Sequence, residues 1–104
     1  MAFVRVTDAN ALAPGQGWVV NANGREIALF NLDGEFFALD NECPHASGPL
    51  GEGYVEAGIV ICPIHAWEFD IRSGACLTSP EERVPRCAAK VEATGVWVDP
   101  DSGE

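Results

Sequence analysis

The residues best suited to bind a metal lie in two short segments of the sequence. The chain has only two histidines and four cysteines. Both histidines and two of the cysteines fall in Cys-Pro-His at residues 43–45 and Cys-Pro-Ile-His at residues 62–65. Two such loops, brought together, would present two thiolates and two imidazoles to one point. The pattern therefore predicts a metal or cluster site. Its candidate ligands are Cys43, His45, Cys62 and His65.

The order of the ligands bears on which metal is bound. Zinc ligands usually come like with like, as paired cysteines followed by paired histidines. Here each segment offers one cysteine and one histidine, which suits a binuclear centre in which each loop serves both metal ions. A zinc-stabilised interaction domain stays open as an alternative of another class. A nucleophilic pair of Cys62 and His65 is disfavoured, because both residues lie on one tight turn without a third group to orient them.

Beyond the four ligands, the two segments resemble a known family. Cys-x-His, sixteen residues and Cys-x-x-His is similar to the Rieske [2Fe–2S] motif. The stretches CPHASGPLGEG and CPIHAWEFDIRSG look like the two cluster loops of soluble Rieske ferredoxins, and Pro80 stands where that family has a shielding proline. The resemblance implies one [2Fe–2S] cluster. The implied ligands are Cys43 and Cys62 on the inner iron and His45 and His65 on the outer iron. Cys76 and Cys87 match no ligand position and are expected to be buried or half-buried thiols.

The resemblance implies one-electron transfer as the function. Soluble Rieske ferredoxins pass electrons from a flavoprotein reductase to a terminal ring-hydroxylating oxygenase. No histidine is left for the mononuclear iron of an oxygenase, so we expect an electron carrier and not an enzyme. The small subunits of larger reductases, such as nitrite reductases, are also similar, and that alternative stays open.

Four positions beside the implied ligands bear on the reduction potential. High-potential respiratory Rieske proteins, which this chain resembles in ligand spacing, have a disulfide and two hydroxyl donors next to the cluster. The corresponding residues are Gly48 and Ile64 for the disulfide and Trp67 and Phe69 for the hydroxyls. Donors to sulfur stabilise the more negative reduced state. Their absence predicts a potential at the low end of the Rieske range, roughly −150 mV.

Turn signals predict that the elements around these loops are short strands. Asn-Gly at 23–24 and Asp-Gly at 33–34 predict tight turns in a three-stranded meander over residues 18–39, after a first strand near residues 3–6. A further hairpin is expected to turn at 57–58, and a short strand to end at 73–74. A last pair of strands is expected to turn near 94–95. Residues 8–15 could form at most one helical turn before Pro14.

Eight or nine such strands predict an all-β fold in one small domain. We expect a Rieske-like small β-sandwich or barrel with an inserted cluster-binding subdomain of two ligand loops. The single domain would cover residues 1–104, with the cluster-binding part at about 41–80. The last six residues are expected to be frayed.

The charge of the chain limits its partners. The formal net charge is −10, from sixteen acidic and six basic residues. Nucleic acid and anionic membranes would repel such a chain. No apolar run approaches the roughly 18 residues that span a bilayer, and the first residues do not resemble a secretory signal. We therefore expect a cytoplasmic monomer, and a secreted disulfide scaffold is disfavoured.

The same acidity has two interpretations. It keeps the protein in solution, or it steers the protein onto basic partners. In the second interpretation docking occurs at the cluster tip, where the outer imidazoles and neighbouring apolar residues would form a small patch. The candidate neighbours are Pro44, Pro49, Pro63 and Trp67. The steering acids would be Glu42, Glu52, Glu81 and Glu82.

Overall fold

The computed structural model describes residues 3–42, 48–64 and 66–100. Nine strands are formed in these residues: β1 Val4–Asp8, β2 Gly17–Ala22, β3 Arg25–Leu32, β4 Glu35–Asp40, β5 Tyr54–Glu56, β6 Ile59–Ile61, β7 Glu68–Asp70, β8 Arg86–Glu92 and β9 Gly95–Asp99. Single 3-10 turns are formed by Ala9–Ala11 and Leu50–Glu52. The predicted all-β class is confirmed. Within the described residues, no helix has the length and apolar character needed to cross a membrane.

The strands form two antiparallel sheets. The larger sheet has the order β1-β9-β8-β4-β3-β2, and the smaller has the order β5-β6-β7. The end strands β1 and β2 also contact each other, so the larger sheet nearly closes into a barrel. The smaller sheet is inserted between β4 and β8 in the sequence. The predicted small barrel with an inserted subdomain is therefore confirmed, as are the turns at 23–24, 33–34 and 57–58.

The strand β3 connects the two parts of the core. Six consecutive residues of β3 are buried. Ile27 and Leu29 pack inside the barrel, whereas Ala28 and Phe30 pack in a second group that includes Phe69 of the smaller sheet. Successive side chains of a strand point to opposite faces, so one strand supplies both groups. This packing fixes the smaller sheet, and the loops it carries, against the barrel.

The last hairpin turns one residue earlier than predicted. Its turn residues are Ala93 and Thr94, because Glu92 pairs with Gly95. Gly95 belongs to β9 and serves close packing instead of a turn. A Cβ on Gly95 would lie 2.6 Å from Nε of Arg5 on the neighbouring strand β1. The predicted turn near 94–95 is thus found one residue earlier, because Gly95 lies in β9 and not in the turn.

The strand after the second ligand segment is shorter than predicted. It ends at Asp70 and not at residues 73–74. The main chain of Gly74 donates to the carbonyl of Asp70 at 2.7 Å. The hydroxyl of Ser73 donates to the carboxylate of Asp70 at 3.0 Å. These local bonds compete with continuation of the strand, so the chain turns at residues 71–74.

Candidate metal centre

One of the four predicted ligands lies in the part of the chain that the structure describes. Cys62 follows β6 directly and is only 1% exposed. Cys43, His45 and His65 lie outside the described residues, as does Pro44. The described part of the site therefore consists of Cys62 and the residues on either side of the predicted ligands.

The first ligand segment is anchored at both ends. Glu42 and Pro49 form an isolated antiparallel bridge. Asn41 is buried, its carbonyl accepts the amide of Leu50 at 2.8 Å, and its side-chain oxygen accepts the amide of Gly51 at 2.8 Å. These bonds hold residues 41–42 beside residues 49–51, so the chain enters and leaves the segment at one place. Sequence reasoning missed Asn41, although a polar residue directly after a buried strand is a usable signal.

The second ligand segment is a turn between β6 and β7. The amide of Cys62 donates to the carbonyl of Trp67 at 2.8 Å. The turn is completed by Ala66, whose φ is 58°. Pro63 and Ile64 between them are exposed. The segment therefore has a buried thiol at its base and apolar groups at its surface.

The two ligand segments contact each other at Gly48. A Cβ on Gly48 would lie 2.7 Å from Cγ1 of Ile64 and 3.0 Å from Sγ of Cys62. The first distance is shorter than real Cβ contacts and the second is tight, so a side chain at residue 48 would force Ile64 to move. A Cβ at Gly48 would also lie 3.3 Å from Cβ of Ile64, near the separation of about 3.5–4.5 Å found in disulfides. Gly48 and Ile64 correspond to the two cysteines that form a disulfide in the respiratory proteins. The two positions are neighbours in this chain as well, but neither is a cysteine.

A third loop lies along the outer edge of β7. The amide of Leu77 donates to the carbonyl of Glu68 at 2.8 Å, and the amide of Glu68 donates to Oγ1 of Thr78 at 2.9 Å. Pro80, the predicted shielding residue, is exposed in this loop. The loop that carries Pro80 is therefore attached to the strand that follows the second ligand segment.

The remaining two cysteines are buried, as predicted. Cys76 is 3% exposed and Cys87 is 6% exposed. Sγ of Cys76 accepts the amide of Ser79 at 3.2 Å, and Sγ of Cys87 lies 3.9 Å from the carbonyl of Pro100, to which it donates. Each thiol thus has a structural contact of its own.

The surface around the ligand segments combines apolar and acidic side chains. Ile64 is 39% exposed and Leu77 is 50% exposed. Sequence reasoning did not identify either as part of an exposed patch, although large apolar residues within turns are a signal for one. The predicted neighbours Pro49 and Trp67 are half-buried. The four predicted steering acids, Glu42, Glu52, Glu81 and Glu82, are all exposed.

The two residues at the positions of the hydroxyl donors, Trp67 and Phe69, also lie in apolar surroundings. Phe69 is fully buried and packs in the same core group as Cys62. Trp67 is partly buried and packs against that group. Because Cys62 lies within this group of buried apolar residues, its thiol is shielded from water. This burial and the close approach of the two ligand segments both fit a cluster whose cysteine side is buried in the protein.

Comparison with known sequences points to one family. The model of the Rieske [2Fe-2S] domain matches residues 2–91. The biphenyl dioxygenase ferredoxin subunit of Pseudomonas sp. strain KKS102 is 32% identical over 101 residues, which cover 95% of this chain and 93% of that protein. The similarity therefore includes the barrel as well as the ligand segments.

Solved structures share the architecture over nearly the whole chain. The ferredoxin of carbazole 1,9a-dioxygenase from Nocardioides aromaticivorans IC177 has a TM-score of 0.90 at 28% identity, covering 97% of this chain and 100% of that one. A chain from the complex of reduced oxygenase and oxidized ferredoxin in carbazole 1,9a-dioxygenase has a TM-score of 0.85 at 26% identity, covering 92% and 91%. A proposed small subunit of an NADH-dependent nitrite reductase from Mycobacterium tuberculosis has a TM-score of 0.86 at 28% identity, covering 93% of each chain.

Proposed function

The chain belongs to the Rieske [2Fe–2S] domain family, and we propose from this premise that it is the ferredoxin of a multicomponent oxygenase system. Its cofactor is one [2Fe–2S] cluster. It carries single electrons and is not itself an enzyme. The family match displaces the zinc-stabilised interaction domain as an interpretation. Residues at about 41–80 are the cluster-binding part of one domain that covers residues 1–104.

The proposed ligands are Cys43 and Cys62 on the inner iron and His45 and His65 on the outer iron. The observation that carries this proposal is the packing of Gly48 against Cys62 and Ile64, which joins the two ligand segments at one place. At that place Cys62 is buried whereas Ile64 is exposed. The chain therefore runs from the core to the surface between Cys62 and Ile64. A cluster with a buried cysteine side and an exposed histidine side needs such an arrangement.

The residues of the chain hold and shield this site. When bound, a cluster with two imidazoles and two thiolates accepts an electron more readily than one with four thiolates, because it carries less negative charge. The bond from the amide of Cys62 to the carbonyl of Trp67 fixes the turn that presents the thiolate. Buried Phe69 excludes water beneath it. Asn41 fixes the ends of the other segment.

The proposed electron acceptor is a terminal oxygenase. Two observations support this partner: the similar biphenyl protein is a dioxygenase subunit, and a similar carbazole chain comes from a complex of oxygenase and ferredoxin. Exposed Ile64 and Leu77 beside the ligand segments supply an apolar contact surface. The electron donor is a flavoprotein reductase. We place the protein in the cytoplasm as a monomer, with neither nucleic acid nor membrane as a partner.

A second candidate is the small subunit of a larger reductase, such as a nitrite reductase. The likeness to the Mycobacterium tuberculosis structure favours it. The two candidates differ in their acceptor: the first requires electron transfer to an oxygenase that is a separate protein, whereas the second requires stable assembly with a large reductase subunit. Co-purification of such a subunit with the tagged protein would favour the second candidate.

The first experiment is chemical analysis of the purified protein. We expect about two irons and two acid-labile sulfides per chain, visible charge-transfer absorption, and an electron paramagnetic resonance signal only after reduction. The reduced protein should pass its electron to a Rieske oxygenase in a reconstituted system. Zinc in place of iron would contradict the proposal.

Ligand variants test the assignment of single residues. His45→Cys and His65→Cys should lower the potential or abolish the cluster, because an added thiolate contributes negative charge. Cys62→Ser should lose the cluster, and Cys76→Ser, the matched control at a buried thiol, should keep it. An unchanged spectrum and potential in both histidine variants would remove those residues from the ligand set.

A further inference from the structure

One peptide group lies between the second ligand segment and the third loop. The carbonyl of Trp67 accepts the amide of Cys62 at 2.8 Å. The amide of Glu68, which belongs to the same peptide group, donates to Oγ1 of Thr78 at 2.9 Å. In a trans peptide the C=O and N–H point in opposite directions. This group therefore links the amide of a proposed cluster ligand to the side chain of Thr78.

The hydroxyl of Thr78 stands in for a main-chain acceptor. The amide of Leu77 donates to the carbonyl of Glu68 at 2.8 Å. In a regular antiparallel pair the amide of Glu68 would donate back to the carbonyl of Leu77. Here the acceptor is the hydroxyl one residue later. The side chain thereby extends the pairing at the point where the third loop turns away from β7.

The third loop is itself held together by hydrogen bonds. Sγ of Cys76 accepts the amide of Ser79 at 3.2 Å. The amide of Glu82 donates to the carbonyl of Ser79 at 2.9 Å, and the amide of Cys76 donates to the carbonyl of Glu82 at 3.2 Å. Residues 76–82 therefore behave as one compact unit. The bond from Glu68 to Thr78, together with the bond from the amide of Leu77 to the carbonyl of Glu68, attaches that unit to β7 next to the second ligand segment.

We propose that Thr78 is a positioning residue for the cluster: its hydroxyl holds the third loop against the second ligand segment through the Trp67–Glu68 peptide. The proposal rests on the proposed function, because it takes Cys62 as a ligand. A hydrogen bond at the N–H of a peptide strengthens its C=O as an acceptor, so the hydroxyl also supports the bond to Cys62. Without it, the loop is held less tightly and water reaches the cluster more easily. Water stabilises the more negative reduced state, so the potential rises.

The test compares three variants of the cluster-loaded protein. Thr78→Val keeps the shape of the side chain but removes the hydroxyl, and Thr78→Ser keeps the hydroxyl. Thr94→Val is the matched control, at an exposed threonine in the turn between β8 and β9. For Thr78→Val we expect a higher midpoint potential and bleaching of the cluster by a chelator that is about fivefold faster, the equivalent of about 1 kcal/mol for one hydrogen bond. Thr78→Ser and Thr94→Val should match the wild type in both measurements.

Each outcome decides the proposal. Loss of the cluster in Thr78→Val with retention in Thr78→Ser would support it, because the hydroxyl distinguishes the two. A Thr78→Val protein with the wild-type potential and bleaching rate would overturn it, and so would a Thr78→Ser protein that behaves like Thr78→Val. Failure of the proposed function looks different: the wild-type protein itself would then contain no iron–sulfur cluster.

Discussion

Gly48 is the residue at which the two ligand segments meet, and it leaves no room for a side chain. A Cβ there would lie 2.7 Å from Cγ1 of Ile64 and 3.0 Å from Sγ of Cys62. Optimal contacts between carbon atoms are about 3.5–4.0 Å. Gly48→Ala should therefore push the segments apart, lower the free energy of unfolding by about 1–3 kcal/mol and speed the loss of the cluster. Denaturant titration and the bleaching rate measure these effects.

The control for this prediction removes the obstructing atom. Ile64→Ala lacks Cγ1, so Gly48→Ala should cost much less stability in that background than in the wild type. If the cost of Gly48→Ala were equal in both backgrounds, the contact with Ile64 would not be its cause.

Residue types and spacing predicted part of the site and could not predict the rest. Scarce cysteines and histidines at short spacing indicated a ligand set, and the buried position of Cys62 is consistent with it. The roles of Asn41 and Thr78 were not predictable in this way. Each side chain bonds the main chain of a residue ten positions away, and such a bond depends on how loops meet in space. The other three ligands stay a prediction.

At the scale of elements, the strands were predictable where the turn chemistry was local. The hairpins at 23–24 and 33–34 formed as expected because Asn-Gly and Asp-Gly favour tight turns. The turn before Gly95 lies one residue earlier than predicted. Gly95 packs against the side chain of Arg5, and a contact between residues so far apart in the sequence leaves no local signal. The order of strands in the larger sheet pairs β4 with β8 across the inserted subdomain. No local signal specifies that pairing.

The role of Asn41 in anchoring the first ligand segment to the end of β4 can be tested by substitution. Its side chain is buried and accepts the amide of Gly51. Asn41→Ala should destabilise the fold by about 1–3 kcal/mol, because it leaves a buried amide without that acceptor. It should also speed the release of iron. Asn10→Ala, at an exposed asparagine, should change stability by less than about 0.5 kcal/mol. Equal effects of the two substitutions in thermal or denaturant unfolding would contradict the anchoring role of Asn41.

For the whole molecule, the acidic charge predicts how it meets a partner. The net charge is −10, and Glu81 and Glu82 lie on the third loop, near exposed Leu77. The rate of electron transfer to a basic partner should therefore fall as ionic strength rises. The double variant Glu81→Gln with Glu82→Gln should slow the reaction at low salt. Glu35→Gln, at the first residue of β4 and therefore at the opposite end of that strand from the first ligand segment, should not. A rate independent of salt would remove the steering role.

The reduction potential tests the central claim most directly. That claim is that the cluster has two cysteine and two histidine ligands but lacks the disulfide and the hydroxyl donors of high-potential relatives. Gly48 and Ile64 cannot form a disulfide beside the cluster, and Trp67 and Phe69 cannot donate a hydroxyl hydrogen bond to it. Fewer donors and an acidic protein both disfavour the reduced state. Direct voltammetry at neutral pH should therefore give a midpoint potential of roughly −150 mV. A value of about −400 mV, typical of plant-type ferredoxins with four cysteine ligands, would contradict the histidine ligands. A value of about +200 mV or above would contradict the hydrogen-bond explanation and the role as electron donor to an oxygenase.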